Sequence, residues 1–324
     1  MKFKIWMCLF PTFAALAGSV ALAQEAYPSK AVRIVVPFNA GGISDVVART
    51  IALELANMWK HPVVVENTPG AGGITGVNVL ARSRPDGYTL LLMNPAGLAI
   101  IPSLFKNVPF DVSRDLSAVT LVAQSPYVIV VNASVAADDI SGLIALAKKK
   151  PGALNYGSGG NGTVSHLAGV VFQDLTGITW AHVPYKGDSA VMLDLLGGRL
   201  DVVMMTLPTA LPEVRNGRLK ALAVTGGSRA PELPQTPTVI ETGVKGFEYA
   251  AWQGIFAPAN TPQPVIRQLH DDIAKVLQKP SVQASLAQVG LKPAWNDTEV
   301  FQRSMVEDVR KWAEVVRKAG IKLE

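Results

Sequence analysis

Apolar positions along the chain follow two alternating spacings. β-Branched and leucine-rich runs at Val32 to Val36, Val63 to Glu66 and Thr89 to Met93 read as strands, and between them apolar residues recur every three to four positions over Asp45 to Lys60 and Thr75 to Arg82. With Gly-rich turns after the first two strands and a turn at Pro85-Asp86-Gly87, this predicts a βαβαβ unit built on a parallel sheet. The alternation resumes with strand Tyr127 to Val131, helix Ser141 to Lys150 stopped by Pro151-Gly152, strand Leu154 to Tyr156 and a helix over Thr163 to Thr176. Strand Thr179 to Val183, helix Ser189 to Leu196 and strand Asp201 to Met205 complete the second unit, and the proline-rich segment Arg229 to Pro237 reads as a connector.

After a strand at Ala251 to Ala257, helices are predicted over Pro262 to Gln278, Ser281 to Val289 and Asp297 to Lys318. The last places Val300, Phe301, Met305, Val309, Trp312 and Val316 on one face behind an Asp297 N-cap. A helix block without strands of its own needs a sheet to lie on. Packing it back on the first unit makes that domain discontinuous, with chain crossings near Ala123 to Tyr127 and Glu248 to Trp252 that form a hinge.

The first residues form a leader: positive charge over Met1 to Lys4, a mostly apolar stretch from Ile5 to Ala17, and the small-x-small site Ala21-Leu22-Ala23. Cleavage is expected after Ala23, giving an exported chain. The formal charge of +5 then falls to +3 with the loss of Lys2 and Lys4, and the run Lys148-Lys149-Lys150 sits where a helix C-terminus favours cations, so a nucleic-acid partner is not expected. The sole cysteine, Cys8, leaves with the leader, which excludes disulfides, thiolate metal sites and thiol nucleophiles. With 49% hydrophobic and 17% charged residues, the chain has ample material for a core, and most of Trp59, Trp180, Trp252, Trp295 and Trp312 are expected inside it.

Three strand-to-helix loops carry candidate chemistry, at the strand ends where open α/β sheets bind ligands. The first, Pro37 to Asp45, has adjacent Gly41 and Gly42 and offers free amides at a helix start, where Ser44 or Asp45 can act as a cap. The second, Gly157 to His166, contains G-x-G-x-x-G, but Pro184-Tyr185-Lys186 stands where a dinucleotide site needs an acid, so a smaller anion fits better than a nucleotide. The third, Val183 to Ser189, combines Tyr185, Lys186 and Gly187. His61, His166, His182 and His270 lack metal-ligand spacing, and the signatures of serine hydrolases, P-loop proteins, zincins and EF-hands are absent, so neither a catalytic role nor a cofactor is expected.

Pro37-Phe38-x-x-Gly41-Gly42-x-x-Asp45-x-x-Ala48-Arg49, Val65-Glu66-Asn67-x-Pro69-Gly70-Ala71-Gly72-Gly73, Pro85-Asp86-Gly87-Tyr88-Thr89, Asn155-Tyr156-Gly157-Ser158 and Val183-Pro184-Tyr185-Lys186-Gly187 occur in this order. Together they resemble the extracytoplasmic receptors of tripartite tricarboxylate transporters, the Bug receptors, over nearly the whole mature chain. The resemblance implies an α/β, type II-like periplasmic-binding-protein fold of two domains. Each would be a mainly parallel sheet flanked by helices, residues 24–124 plus 250–324 forming one and 125–249 the other.

It further implies a monomeric periplasmic receptor that closes on a small organic acid and delivers it to the transmembrane components of such a transporter. Phe38, Ala40, Gly41, Gly42 and Asp45 would form one wall, Ser158, Gly160, Thr163 and His166 the second, and Tyr185, Lys186 and Gly187 the third, with Asn94 ending the third strand nearby. Asn39, Ile43 and Asn94-Pro95 depart from the family pattern, which bears on the distal part of the ligand. Asp45 is either a helix cap or the partner of a ligand ammonium. A sensor feeding a signalling system, or an exported hydrolase using Ser158 and His166, are the alternative functions.

Overall fold

The computed structural model describes residues 27–104, 107–185 and 187–319; the leader with its cleavage site, and Lys186, lie outside these. The first half of the chain runs β1 (Val32–Val36), α1 (Ile43–Trp59), β2 (Val63–Asn67), α2 (Ile74–Ala81) and β3 (Thr89–Met93). A π-helical turn (Ala96–Ile100) then leads into α3 (Ile101–Leu104), α4 (Val112–Asp115) and the long β4 (Leu116–Asn132). Next come α5 (Ile140–Lys149), β5 (Asn155–Ser158), α6 (Val164–Thr176), β6 (Ala181–Pro184), α7 (Asp188–Leu196), β7 (Val202–Thr206), α8 (Leu207–Arg215) and β8 (Leu219–Val224). The chain closes with β9 (Ala250–Pro258), α9 (Gln263–Leu277), α10 (Pro280–Gln288), β10 (Lys292–Pro293) and α11 (Thr298–Ala319).

Strand composition follows position in the sheet. Central β1, apart from Arg33, and β3 are mostly buried apolar runs, whereas edge strand β2 alternates between half-buried and exposed residues. β2, β1 and β3 are parallel, and so are β6, β5 and β7. Antiparallel strands join the two sets, so each half is mixed. β9 pairs with β3, Leu116 to Pro126 of β4 pair with β9, and Tyr127 to Val131 pair with β7 while Val128 to Asn132 pair with β8. One strand therefore runs through both lobes, changing partners between Pro126 and Tyr127.

Helices α1, α9 and α10 cover one face of the first sheet, where Ile51, Leu55, Leu269 and Ile273 meet Ile34, Leu92 and Ile255. On the other face Phe256 meets Phe301 and Met305 of α11. The second lobe has its own core, in which Tyr156, Phe172 and Trp180 stack and Phe247 meets Phe172 edge-on. The last helix contributes to both cores. Trp312 and Val316, near the end of α11, are buried in the second lobe's core, as are Ile100 and Leu104. A 22-residue helix is about 33 Å long, enough to lie across both lobes.

Candidate ligand-binding site

Between the lobes is a cleft of about 420 Å³, within the range of small-molecule sites. Phe38, Gly42, Ser44 and Asn94 line it from the first lobe, and Gly159, Thr163, Ser165, Gly187 and Asp188 from the second. Tyr127 within β4, where that strand changes partners, Thr206 at the end of β7, and Trp252 and Gln253 near the start of β9 form its floor.

The β1–α1 loop is held from behind. The buried Asp45 carboxylate accepts from Gly41 N (2.9 Å), Arg49 Nε (2.9 and 3.0 Å) and Asn67 Nδ2 (2.9 Å). Asn67 Nδ2 also donates to Phe38 O (3.1 Å), and Arg49 Nη2 donates to Asn67 Oδ1 (3.0 Å). Burial opposes ionisation of Asp45, but these donors outweigh it and hold the carboxyl below its ordinary value. Asp45 therefore faces Gly41, Arg49 and Asn67 and does not line the cleft, and Ala40 and Gly41 are not among the lining residues either. Gly42, which precedes α1, provides no side-chain cap, so the first amides of the helix remain available to a ligand or water. Ser44 Oγ donates to Gln253 Oε1 (3.1 Å), joining α1 to β9 at the cleft floor.

In the second lobe Thr163 caps α6, accepting from His166 N (3.3 Å) and donating to Gly160 O (2.7 Å). Gly160 has φ +136°, and an added Cβ would stand 3.0 Å from Tyr185 O, so glycine there permits both the turn and the close approach of the β6–α7 loop. Behind this wall His166 and His182 stack at 4.0 Å, and Gly162 N donates to His166 Nδ1 (3.1 Å). Burial, with His182 adding to it, pushes the His166 pKa down to about 4; burial also lowers His182. Both rings are therefore neutral at pH 7. Ser158 is fully buried and pairs with His182 Nε2 (2.6 Å) rather than with His166, so the serine-histidine pair considered for a hydrolase is not assembled.

Tyr185 turns away from the cleft and donates to Asp194 Oδ2 (2.6 Å). Gly187 leaves α7 uncapped by any side chain, and Asp188, the first residue of that helix, stands in the cleft wall. Among the residues proposed from sequence, the cleft thus brings together Phe38, Gly42, Asn94, Thr163 and Gly187, while Asp45, Ser158, Gly160, His166 and Tyr185 support the walls from outside the lining. Sequence reasoning missed Tyr127, Asp188, Thr206, Trp252 and Gln253 and took Ser44 only as a cap. Thr206 had a usable signal, since it lies at the carboxyl end of a parallel strand.

Two α/β lobes joined through one long shared strand, with a cleft onto which helix starts open, define the architecture of a solute-binding protein. The sequence model of the tripartite tricarboxylate transporter family receptor matches residues 47–321, and the chain belongs to that family. Protein BugT of Bordetella pertussis is 35% identical over 314 residues, which is 96% of each chain. The solved periplasmic binding protein BugD is 35% identical with a TM-score of 0.71, covering 92% of this chain and 100% of its own. An R. palustris protein solved with adipate is 31% identical with a TM-score of 0.74, covering 91% of this chain and 99% of its own. The family is one of binding receptors, the related BugD is a periplasmic binding protein, and among the described residues no helix is long and apolar enough to cross a membrane.

Proposed function

We propose that the protein captures a small carboxylate in the periplasm and delivers it to the membrane components of a tripartite tricarboxylate transporter. The observation that carries this reading is the pair of helix starts, at α1 and α7, that open onto the cleft without side-chain caps. Backbone amides at such ends bind an anion without an arginine clamp. The adipate held by the R. palustris relative is a ligand of this chemistry.

In this reading residues 24–124 with most of 250–324 form one domain and 125–249 the other, and the chain works as a monomer once the leader is removed after Ala23. The hinge lies where β4 changes partners and where β9 begins. The ligand drives closure only as far as it binds the closed form better than the open one. Phe38, Gly42, Asn94, Thr163 and Gly187 contact the ligand, joined by Ser44 and Gln253.

Small-angle scattering of the purified protein with a pool of mono-, di- and tricarboxylates and amino acids tests the proposal. A smaller radius of gyration with the pool is expected. An unchanged profile with the pool and contraction with a nucleotide would overturn it.

A further inference from the structure

Among the described residues lining the cleft, Asp188 is the one that bears a formal charge. An acid in the wall of a carboxylate site works against the ligand unless it has a partner of its own. Asp188 has none among the described residues: it is exposed at the cleft wall, and partial desolvation by the surrounding protein raises its carboxyl with no described donor or cation pulling it back. Three acids that have donors of their own behave differently. Asp45 and Asp111, which accept from backbone amides, and Asp194, which accepts from Tyr185 and Arg199, are all lowered.

Asp188 does not act as a cap, since the residue before α7 is Gly187 and no side chain caps that helix. Its favourable place near the helix dipole explains an acid in the first turn but not one turned into a ligand cleft. An added Cβ on Gly159 would lie 2.8 Å from Asp188 Oδ1, which puts the carboxylate against the backbone of the β5–α6 loop, beside Thr163 and Ser165 in the lining. The remaining lining groups are neutral, so they neither compensate Asp188 nor attract a second carboxylate to it.

We infer that Asp188 receives the ammonium group of a zwitterionic ligand, so that the solute is an amino-carboxylate whose acid end lies on helix-start amides. This rests on the carboxylate reading above and narrows it. The ammonium of such a ligand supplies the positive charge that the described lining residues do not, and a charge-assisted hydrogen bond inside a closed cleft is stronger than one in water.

Isothermal titration of the purified protein with matched pairs tests the inference: aspartate against succinate, glutamate against glutarate, phenylalanine against hydrocinnamate, with malate as a hydroxy-acid control. The amino member of at least one pair should bind tenfold or more tightly than its deaminated partner. In Asp188→Asn that ratio should fall at least tenfold, with the deaminated acids bound as well as before or better. The apo variant should melt close to the wild-type temperature, because the exposed Asp188 makes no described hydrogen bond or ion pair, which separates a binding effect from misfolding. Deaminated acids or malate preferred by the wild type, or an unchanged ratio in the variant, would overturn this inference and leave the carboxylate reading standing. Failure of every acid to bind would remove both.

Discussion

Trp252 Nε1 donates a 3.0 Å hydrogen bond to Asp308 Oδ2, tying the floor of the cleft to the helix that lies across both lobes. The indole also meets Phe301 edge-on at 5.5 Å, so α11 fixes the ring by packing as well as by the hydrogen bond. Burial raises the Asp308 carboxyl above its ordinary value, against the pull of Trp252 and Lys311.

Asp308→Ala leaves the indole N–H without its acceptor and should cost about 1–3 kcal/mol in urea unfolding. Asp308→Asn keeps an acceptor and drops the buried charge, so it should be near neutral or stabilising. A raised native pKa means that the folded state holds its proton longer, so stability falls as pH rises from 3.8 upward; Asp308→Asn should flatten that fall. Equal losses in the two variants would show that the ring is held by packing alone.

Asp45 makes a different prediction. Asp45→Ala removes the acceptor shared by Gly41, Arg49 and Asn67 and should destabilise the protein by about 2 kcal/mol, a value discounted because Arg49 is half in water. Ligand affinity should fall too, since the amides of the β1–α1 loop lose their anchor. The native carboxyl is lowered, so its contribution is present above 3.8 and lost as pH falls below that value. Wild-type stability and affinity in Asp45→Ala would contradict the supporting role.

The stacked histidines give a third pH dependence. His166 has a native value of about 4 against an unfolded 6.5, so the unfolded chain binds the proton first and stability drops as pH falls from 6.5 towards 4. The full loss should be of order 1–3 kcal/mol. His166→Asn keeps an acceptor for Gly162 N and should flatten this slope in pH-dependent melting curves; an unaltered slope would mean that the ring titrates freely.

Tyr156 is clamped between Trp180, stacked at 4.5 Å, and α6, where its hydroxyl donates to Ser165 O. A Cβ on Gly169 would fall 2.4 Å from that ring, which has no room to retreat. Gly169→Ala should therefore lose about 1–3 kcal/mol by overpacking, lowering the melting temperature by several degrees. A melting point equal to wild type would show that the second lobe's core yields.

Periodicity located most elements because the apolar runs and helical spacings agree with burial. It missed α8, whose Pro208 and Pro212 read as breakers, though one lies in the first turn and the helix is short. It also missed the first half of β4, where Pro126 obscures a strand that bends from one lobe into the other. The glycine loops marked the cleft correctly because their backbone conformation is written in residue type. Side-chain direction is not written there. Asp45 and Asp188 both sit near helix starts, yet Arg49 and Asn67 draw one backwards while the other faces the cleft, and Trp252, expected in the core, forms part of the cleft floor.

The central claim, that this cleft captures a small carboxylate, is tested most directly by thermal shift of the purified protein against separate classes of acid, with nucleotides as controls. At about 100 times Kd a ligand adds ~2.7 kcal/mol, or roughly 4–5 °C for a chain of this size. A shift of that order confined to one class of carboxylate is the predicted result. No shift with any acid, together with one for a nucleotide, would contradict it.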